Sequence, residues 1–468
     1  MPLAMFGGTR GSVAVPVGLS SIACAIILRP RLRGWLDAAL LLLVACVAFQ
    51  LVPLPDAALT KLSPHAQSVR DALALLAPPE LHLRPLSIRS SDTEWAFVIF
   101  AGAVAMFFVA RSTFGRGGVR RTVWGVAAIG LGVSGLSIAQ AATAGRSIYW
   151  RFPTEYEGPL PFGPFVNRNH FATWAIMALP LTVGYLMSRS PSPAPVPPDA
   201  AGRRRLTLSV DPRGAWMITA SVLMLLALLL SLSRSGIVAL AIAAGVMIVA
   251  MRRRLQRHGR WAIASVVAAF TLAALAWADV PALAERFAAT PAGLSGRLTI
   301  WRETVPIIGD FWLPGTGAGT YETAMFVYQR SDRSVFFNQA HNHYLQVAAE
   351  GGLLVTVTLA IALAVFVVSA IVVMRRDHSD VIWMRAGAAT GIGAVMLQSL
   401  WETGLVMPAN AMLAAILAAI VLHEHEKPRP NPYPLRGFSR SRIRVRHGGA
   451  PLNPYVHTSR PTRTPPPR

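Results

Sequence analysis

Carboxylates and cysteines are scarce in this chain. Of its 468 residues, 22 are Asp or Glu against 44 Lys or Arg, and charged residues make up only 14%. The two cysteines, Cys24 and Cys46, both lie inside apolar runs. Two such residues exclude a disulfide framework and a cysteine-ligated metal centre. Few charges and long uncharged stretches also exclude an ordinary water-soluble domain. The formal charge of +22 would suit a nucleic-acid partner, but most arginines sit in short segments between apolar runs. That is the pattern of membrane orientation signals, so no nucleic-acid binding is expected.

What is abundant is apolar sequence, with 53% hydrophobic residues and a mean hydropathy of +0.46. Repeated apolar runs of about 16 to 24 residues match the thickness of a bilayer's hydrocarbon core. They predict an all-α, polytopic membrane protein of about 11–12 helices that exchanges its surface with membrane lipid. Eleven spans are expected, at 12–29, 35–53, 94–111, 121–142, 171–188, 215–232, 236–251, 261–279, 352–374, 385–405 and 408–423. The first, preceded by Arg10 and followed by Arg29, Arg31 and Arg33, reads as a retained span rather than a cleaved signal peptide.

The basic clusters fix an expected orientation. Arg29/Arg31/Arg33, Arg111/Arg116/Arg120/Arg121, Arg203/Arg204/Arg205, Arg252/Arg253/Arg254 and Arg375/Arg376 follow alternate spans, which places those connections in the cytoplasm. Segments 54–93, 143–170, the turn at 233–235, the stretch 280–351 and the turn near Pro408 then fall on the outer face, the periplasm of a bacterial inner membrane. The organisation predicted is helices over 1–279 with outer loops 54–93 and 143–170, one large outer loop at 280–351, further spans over 352–423, and a basic Pro/Arg-rich cytoplasmic tail at 424–468. That tail is expected to be disordered, and the Pro-rich segment 190–205 to be a flexible cytoplasmic linker.

A few polar residues stand out against this background. Arg234 lies between two apolar runs too long together for one span, so the chain must turn there at the outer boundary. An arginine in that place either snorkels to headgroups or turns its guanidinium fork to phosphate oxygens. Arg297, in Leu294-Ser-Gly-Arg-Leu-Thr-Ile-Trp-Arg302, lies in a segment of amphipathic spacing. It either pairs with a loop carboxylate or adds a second guanidinium beside Arg234, as an anion with two phosphates would require. Gly315, Gly317 and Gly319 permit positive φ and close backbone approach, serving either a turn or a ligand loop. They are not a dinucleotide fingerprint, since Thr320 replaces the third glycine.

His341 opens His341-Asn-His-Tyr-Leu-Gln-Val-Ala-Ala-Glu-Gly-Gly352, directly before a long span. Asn342, Gln346 and Glu350 recur every four residues and so form a polar stripe. A histidine there suits either a structural hydrogen bond or removal of a proton from a hydroxyl. His343 points away from it on a helix, so the two are not expected to share a metal. Asn167, Arg168, Asn169 and His170, in Gly163-Pro-Phe-Val-Asn-Arg-Asn-His-Phe171, either open a helix or contact sugar and phosphate.

Asn167-Arg-Asn-His-Phe171, Ser233-Arg-Ser-Gly236, Gly296-Arg-Leu-Thr-Ile-Trp301, the Gly-x-Gly-x-Gly loop and Ala340-His-Asn-His-Tyr-Leu345 occur in the order seen in the bacterial O-antigen ligase and polymerase family, which this chain resembles most densely over 160–355. The resemblance implies a helical glycosyltransferase that moves a glycan from an undecaprenyl pyrophosphate donor to an acceptor hydroxyl in the periplasm. The acceptor is the lipid A core in ligases and another lipid-linked glycan in polymerases. Carried over by motif, Arg234 and Arg297 hold the pyrophosphate and His341 activates the acceptor. Family members commonly have an even number of spans with both ends inside. The odd count here therefore points to a missed helix or a shortened start.

The expected chemistry requires no cofactor and no metal. The donor is already activated, two guanidinium groups can stabilise the leaving charge, and no Asp-x-Asp pair occurs in the chain. The rival from another class is a flippase or transporter of lipid-linked glycan. It would need charged residues along a path through the spans, whereas here the polar groups gather toward one face. A protein O-oligosaccharyltransferase would share the same chemistry and differ only in its acceptor.

Overall fold

In the computed structural model the described residues are 11–74, 83–115, 117–143, 147–153, 161–189, 211–254, 290–333 and 336–424. The expected span at 261–279, the linker 190–205 and the tail beyond Glu424 lie outside them. Helix dominates: α1 (Gly11–Leu28), α2 (Trp35–Phe49), α3 (Asp56–Leu62), α4 (Ala66–Leu73), α5 (Ser90–Phe114), α6 (Val119–Thr143), α7 (Arg168–Met187), α8 (Pro212–Leu230), α9 (Arg234–Met251), α10 (Thr290–Asp310), α11 (Tyr321–Tyr328), α12 (His343–Arg376), α13 (Val381–Gln398) and α14 (Pro408–Leu422). Among the described residues strand is confined to two-residue ladders, Leu54–Pro55 with Leu83–Arg84 and Ser147–Ile148 with Phe152–Pro153.

Ten of the eleven expected spans coincide with helices. Among the described residues six of these, α5 to α9 and α12, are long and apolar enough to cross a membrane. Three shorter apolar stretches, Ala14–Leu28, Trp35–Phe49 and Pro408–Leu422, accompany them. The protein is therefore an all-α polytopic membrane protein. Two of the boundaries that differ from expectation bear on the site. The chain turns at Ser231–Ser233, with Leu232 at φ 54°, so that Arg234 begins α9 instead of lying within the turn. The span expected at 385–405 ends at Gln398, because the chain reverses through Ser399–Thr403 and a short 3-10 turn at Gly404–Val406.

The bundle is built around α7, most of whose residues are buried. Its main partner is α13, and the two meet through small residues. A methyl group on Gly387 would stand 2.2 Å from the Pro180 carbonyl oxygen, and one on Gly391 would stand 2.8 Å from that of Met177. Without a hydrophobic drive between helices in lipid, such close backbone approach supplies the dispersion contacts that hold them. Asn167 caps α7 by accepting from the Asn169 amide, and Asp211 with Pro212 starts α8 in the same way.

The two ends of the bundle differ in chemistry. At one end arginines meet the scarce carboxylates: Arg111 pairs with buried Asp37 at 2.6 Å, Arg189 with Asp211 at 2.7 Å and Arg385 with Asp377 at 2.6 Å. Arg385 also donates to the Val421 and His423 carbonyls, closing the end of α14. At the opposite end the segments between the helices build a cap. Ala66 and Val69 of α4 and Ile88 join Ile307 and Phe311 of α10, and Tyr321, Ala324 and Met325 of α11, in one apolar cluster. Tyr321 shares a 2.7 Å hydrogen bond with Thr304 inside it, and burial pushes its hydroxyl well above the ordinary tyrosine range.

The cap is locked to the bundle at a break in α12. Gly352 takes φ 56° and ψ −160° within that helix, which frees backbone groups on either side of the kink. Segment 312–317 satisfies them. Leu353 and Leu354 donate to the Trp312 and Leu313 carbonyls at 2.7 and 3.2 Å, while Thr316 and Gly317 donate to those of Ala349 and Glu350 at 3.0 and 2.9 Å. The polar stripe therefore belongs to a short cap-side segment, with Asn342 as the N-cap and Gln346 and Glu350 before the kink, and the apolar span begins after it.

Candidate functional site

The helix starts α7, α9, α12 and α14 and the end of α13 all lie at the cap end. The loop after α13 carries Glu402, whose side chain is 1% exposed. A carboxylate so deeply placed requires partners. Its Oε1 accepts from Arg297 Nη2 of α10 at 2.8 Å and from Asn169 Nδ2 of α7 at 2.7 Å. Its Oε2 lies 3.7 Å from His341 Nδ1. Neither of these last two atoms has a hydrogen-bond partner among the described residues. The separation is beyond a normal hydrogen bond.

Around this centre the burial is graded. The Arg297 and His341 side chains are 30% and 31% exposed, so both reach solvent while Glu402 lies behind them. His341 is held by its neighbours. Its φ is 48°, unusual for a residue other than glycine. The preceding Ala340 carbonyl accepts from Trp301 Nε1 at 3.0 Å, the Ala340 amide donates to Gln346 Oε1 at 3.2 Å, and the His343 amide donates to the Ser399 carbonyl at 2.8 Å. Thr403 donates to Gln339 at 2.5 Å, tying the segment before His341 to the loop that carries Glu402.

The other expected residues divide by position. Asn169 is in the cluster itself. His170 is buried beside it, with its carbonyl accepting from Asn410 at 3.0 Å and its Nε2 unpartnered among the described residues. Asn167 caps α7, and Arg168 is its half-buried first residue. Asn342 caps α12 by accepting from the Tyr344 and Leu345 amides, both at 3.1 Å. Arg234, exposed at the first position of α9, is placed at the same end of the bundle. One half-turn on, a methyl group at Gly236 would lie 3.1 Å from the Ala172 Cβ and 3.4 Å from Gln398 Nε2. Gln398 in turn accepts from Thr173 at 2.8 Å, four residues before Glu402.

Gly315, Gly317 and Gly319 take φ of 73°, 112° and 80°, as expected. Their amides are engaged within the protein: Gly315 donates to the Phe311 carbonyl, Gly317 to that of Glu350, and Gly319 to Glu350 Oε2 at 2.9 Å. A side chain at Gly315 would collide with the Glu350 carbonyl at 2.2 Å. The loop's visible work is to seal the α12 kink. Glu402 is the residue that sequence reasoning misses. Its signal is nevertheless present, since it is the one acidic residue between Asp380 and Glu424, and an ionisable group in an apolar stretch marks a functional position.

Chemically, the arrangement offers an imidazole and a guanidinium open to solvent, backed by a buried carboxylate, with a second arginine at the same end. No curated protein matches the chain. Residues 219–360 match the family model described as O-antigen ligase. That segment contains Arg234, Arg297, the Gly315–Gly319 loop, His341 and Asn342, while Asn167–His170 and Glu402 lie outside it. Over the 219–360 segment, which is less than half of its length, the chain is similar to the O-antigen ligase family.

Proposed function

We propose that this protein transfers a glycan from undecaprenyl pyrophosphate to a hydroxyl of a glycan acceptor, the lipid A core or the end of another lipid-linked glycan, at the periplasmic face of a bacterial inner membrane. The observation that carries the reading is the convergence of His341 and Arg297, from separate elements, on one buried carboxylate at the cap end. The opposite end carries Arg111, Arg189, Arg254, Arg375, Arg376 and Arg385. By the preference for positive charge inside, that end is cytoplasmic and the site faces out.

The reaction is a direct displacement. His341 takes the proton of the acceptor hydroxyl. The hydroxyl oxygen forms a bond to the anomeric carbon while the bond from that carbon to the pyrophosphate oxygen breaks, with inversion. Undecaprenyl pyrophosphate leaves, its charge met by Arg297 and Arg234. A guanidinium has five N–H donors, so the bond from Arg297 to Glu402 leaves others for phosphate oxygens.

The test is reconstitution of the purified protein with a lipid-linked oligosaccharide donor. The enzyme reading predicts free undecaprenyl pyrophosphate and an elongated or ligated glycan in equal amounts. Relocation of intact donor across the bilayer without cleavage would instead mark a transporter. Deleting the gene separates the acceptors: unligated long glycan accumulates if the acceptor is the lipid A core, and unpolymerised units accumulate if it is another glycan.

A further inference from the structure

We infer that Glu402 is a positioning residue that sets the tautomer and orientation of His341 and ties it to the donor-binding Arg297. The inference rests on the reading of His341 as the base. Two donors, Arg297 Nη2 and Asn169 Nδ2, occupy Oε1 at 2.8 and 2.7 Å and so fix which oxygen turns toward the histidine. That oxygen, Oε2, and His341 Nδ1 are both buried and unpartnered among the described residues, and they face each other at 3.7 Å. The terminal torsion of a glutamate is broad, and less than about 1 Å of movement brings the pair to hydrogen-bond distance.

Once that bond forms, Nδ1 carries the proton and donates it to Glu402. The lone pair is then on Nε2, free to take the proton of the acceptor hydroxyl. The carboxylate also offsets the positive charge that the ring gains when it accepts that proton. The clamps on Ala340, His343 and Gln339 hold the backbone of His341 while this occurs. The same carboxylate holds Arg297, so the groups for donor and acceptor share one anchor. Arg297, His341 and Glu402 come from distant parts of the chain, and the anchor sets their spacing.

The experiment is a four-way comparison of wild type, Glu402→Gln, His341→Ala and the double variant. Each is purified, reconstituted with lipid-linked donor and measured for kcat and donor KM. In Glu402→Gln the amide oxygen still accepts from Arg297 and Asn169, which dictates the amide's orientation. The group facing His341 becomes an NH2 that cannot accept from Nδ1. The expected result is a kcat loss of about 100-fold or more with donor KM changed less than about threefold. Adding Glu402→Gln to His341→Ala should cost nothing further.

An equal loss in both backgrounds overturns the positioning role and leaves His341 as the base. A wild-type rate for His341→Ala overturns the base itself. Should Glu402→Gln not fold, Glu402→Asp replaces it, retaining charge but drawing the carboxylate back from the ring. It should lose about tenfold in kcat in the wild-type background and nothing in the His341→Ala one. Losses that match in the two backgrounds again overturn the proposal.

Discussion

Arg297 and Glu402 stand 105 residues apart in the chain, yet the guanidinium donates to the carboxylate at 2.8 Å. The pair joins α10 of the cap to the loop between α13 and α14. Removing the arginine leaves Glu402, 1% exposed, with Asn169 as its remaining hydrogen-bond donor among the described residues. We expect Arg297→Ala to lower stability by about 1.5–3 kcal/mol, the range for hydrogen bonds to charged groups. Adding Glu402→Gln, which removes the unpaired charge, should recover part of that loss. Thermal unfolding in detergent of the single and double variants reads both effects, and a further drop in the double variant would contradict this account of the pair.

Asn169 is the third member of the cluster, and its amide nitrogen is within 2.7 Å of Glu402 Oε1. Asn169→Ala removes one donor. Asn169→Asp places a second carboxylate against the first, and like charges at that distance repel strongly. The aspartate variant is therefore expected to lose more transfer activity and more thermal stability than the alanine variant, although it is the closer isostere. Equal behaviour of the two would show that Asn169 does not donate to Glu402.

The glycine loop yields a contrast between glycines that look alike in sequence. Gly315 has φ 73° and its substituent would meet the Glu350 carbonyl at 2.2 Å. Gly315→Ala should cost roughly 2 kcal/mol or more, through strain and the opening of the α12 kink. Gly309, inside α10, would carry a methyl group with nothing within 4 Å of it. Gly309→Ala should raise stability by about 0.5–1 kcal/mol through helix propensity. Unfolding midpoints of the two variants provide the check.

Arg234 begins α9 and is exposed, so its loss should affect donor use more than folding. We expect Arg234→Ala to raise donor KM by about tenfold, roughly a 1.4 kcal/mol effect, with a smaller change in Tm than Arg297→Ala. Steady-state kinetics with varied donor at fixed acceptor decide the matter. An unchanged donor KM would remove Arg234 from the donor site.

These relationships are unevenly legible in the sequence. The spans are readable because bilayer thickness imposes run length directly, and Arg234, His341 and Arg297 stand out as polar residues next to such runs. Asn169 is conspicuous as one of a polar group, but its partner is not. Glu402 hides in an apolar run that reads as one span. Its meaning arises only when the loop after α13 folds against the first turn of α7, a contact between residues 233 apart. The glycine loop poses the converse problem. Its positive φ values follow from residue type, but the amides' partners lie across the α12 break, and hydropathy carries no sign of that break. The cap core is hidden for the same reason, since Ala66 and Val69 of one inter-helix segment find Phe311 and Tyr321 of another only in three dimensions.

The central claim is that His341 takes the proton of the acceptor hydroxyl, and single-turnover transfer by reconstituted His341→Ala tests it most directly. With lipid-linked donor and acceptor both saturating, the account predicts a fall in the transfer rate of about 100-fold or more with donor binding retained. A variant that is properly inserted and transfers glycan at the wild-type rate would contradict it.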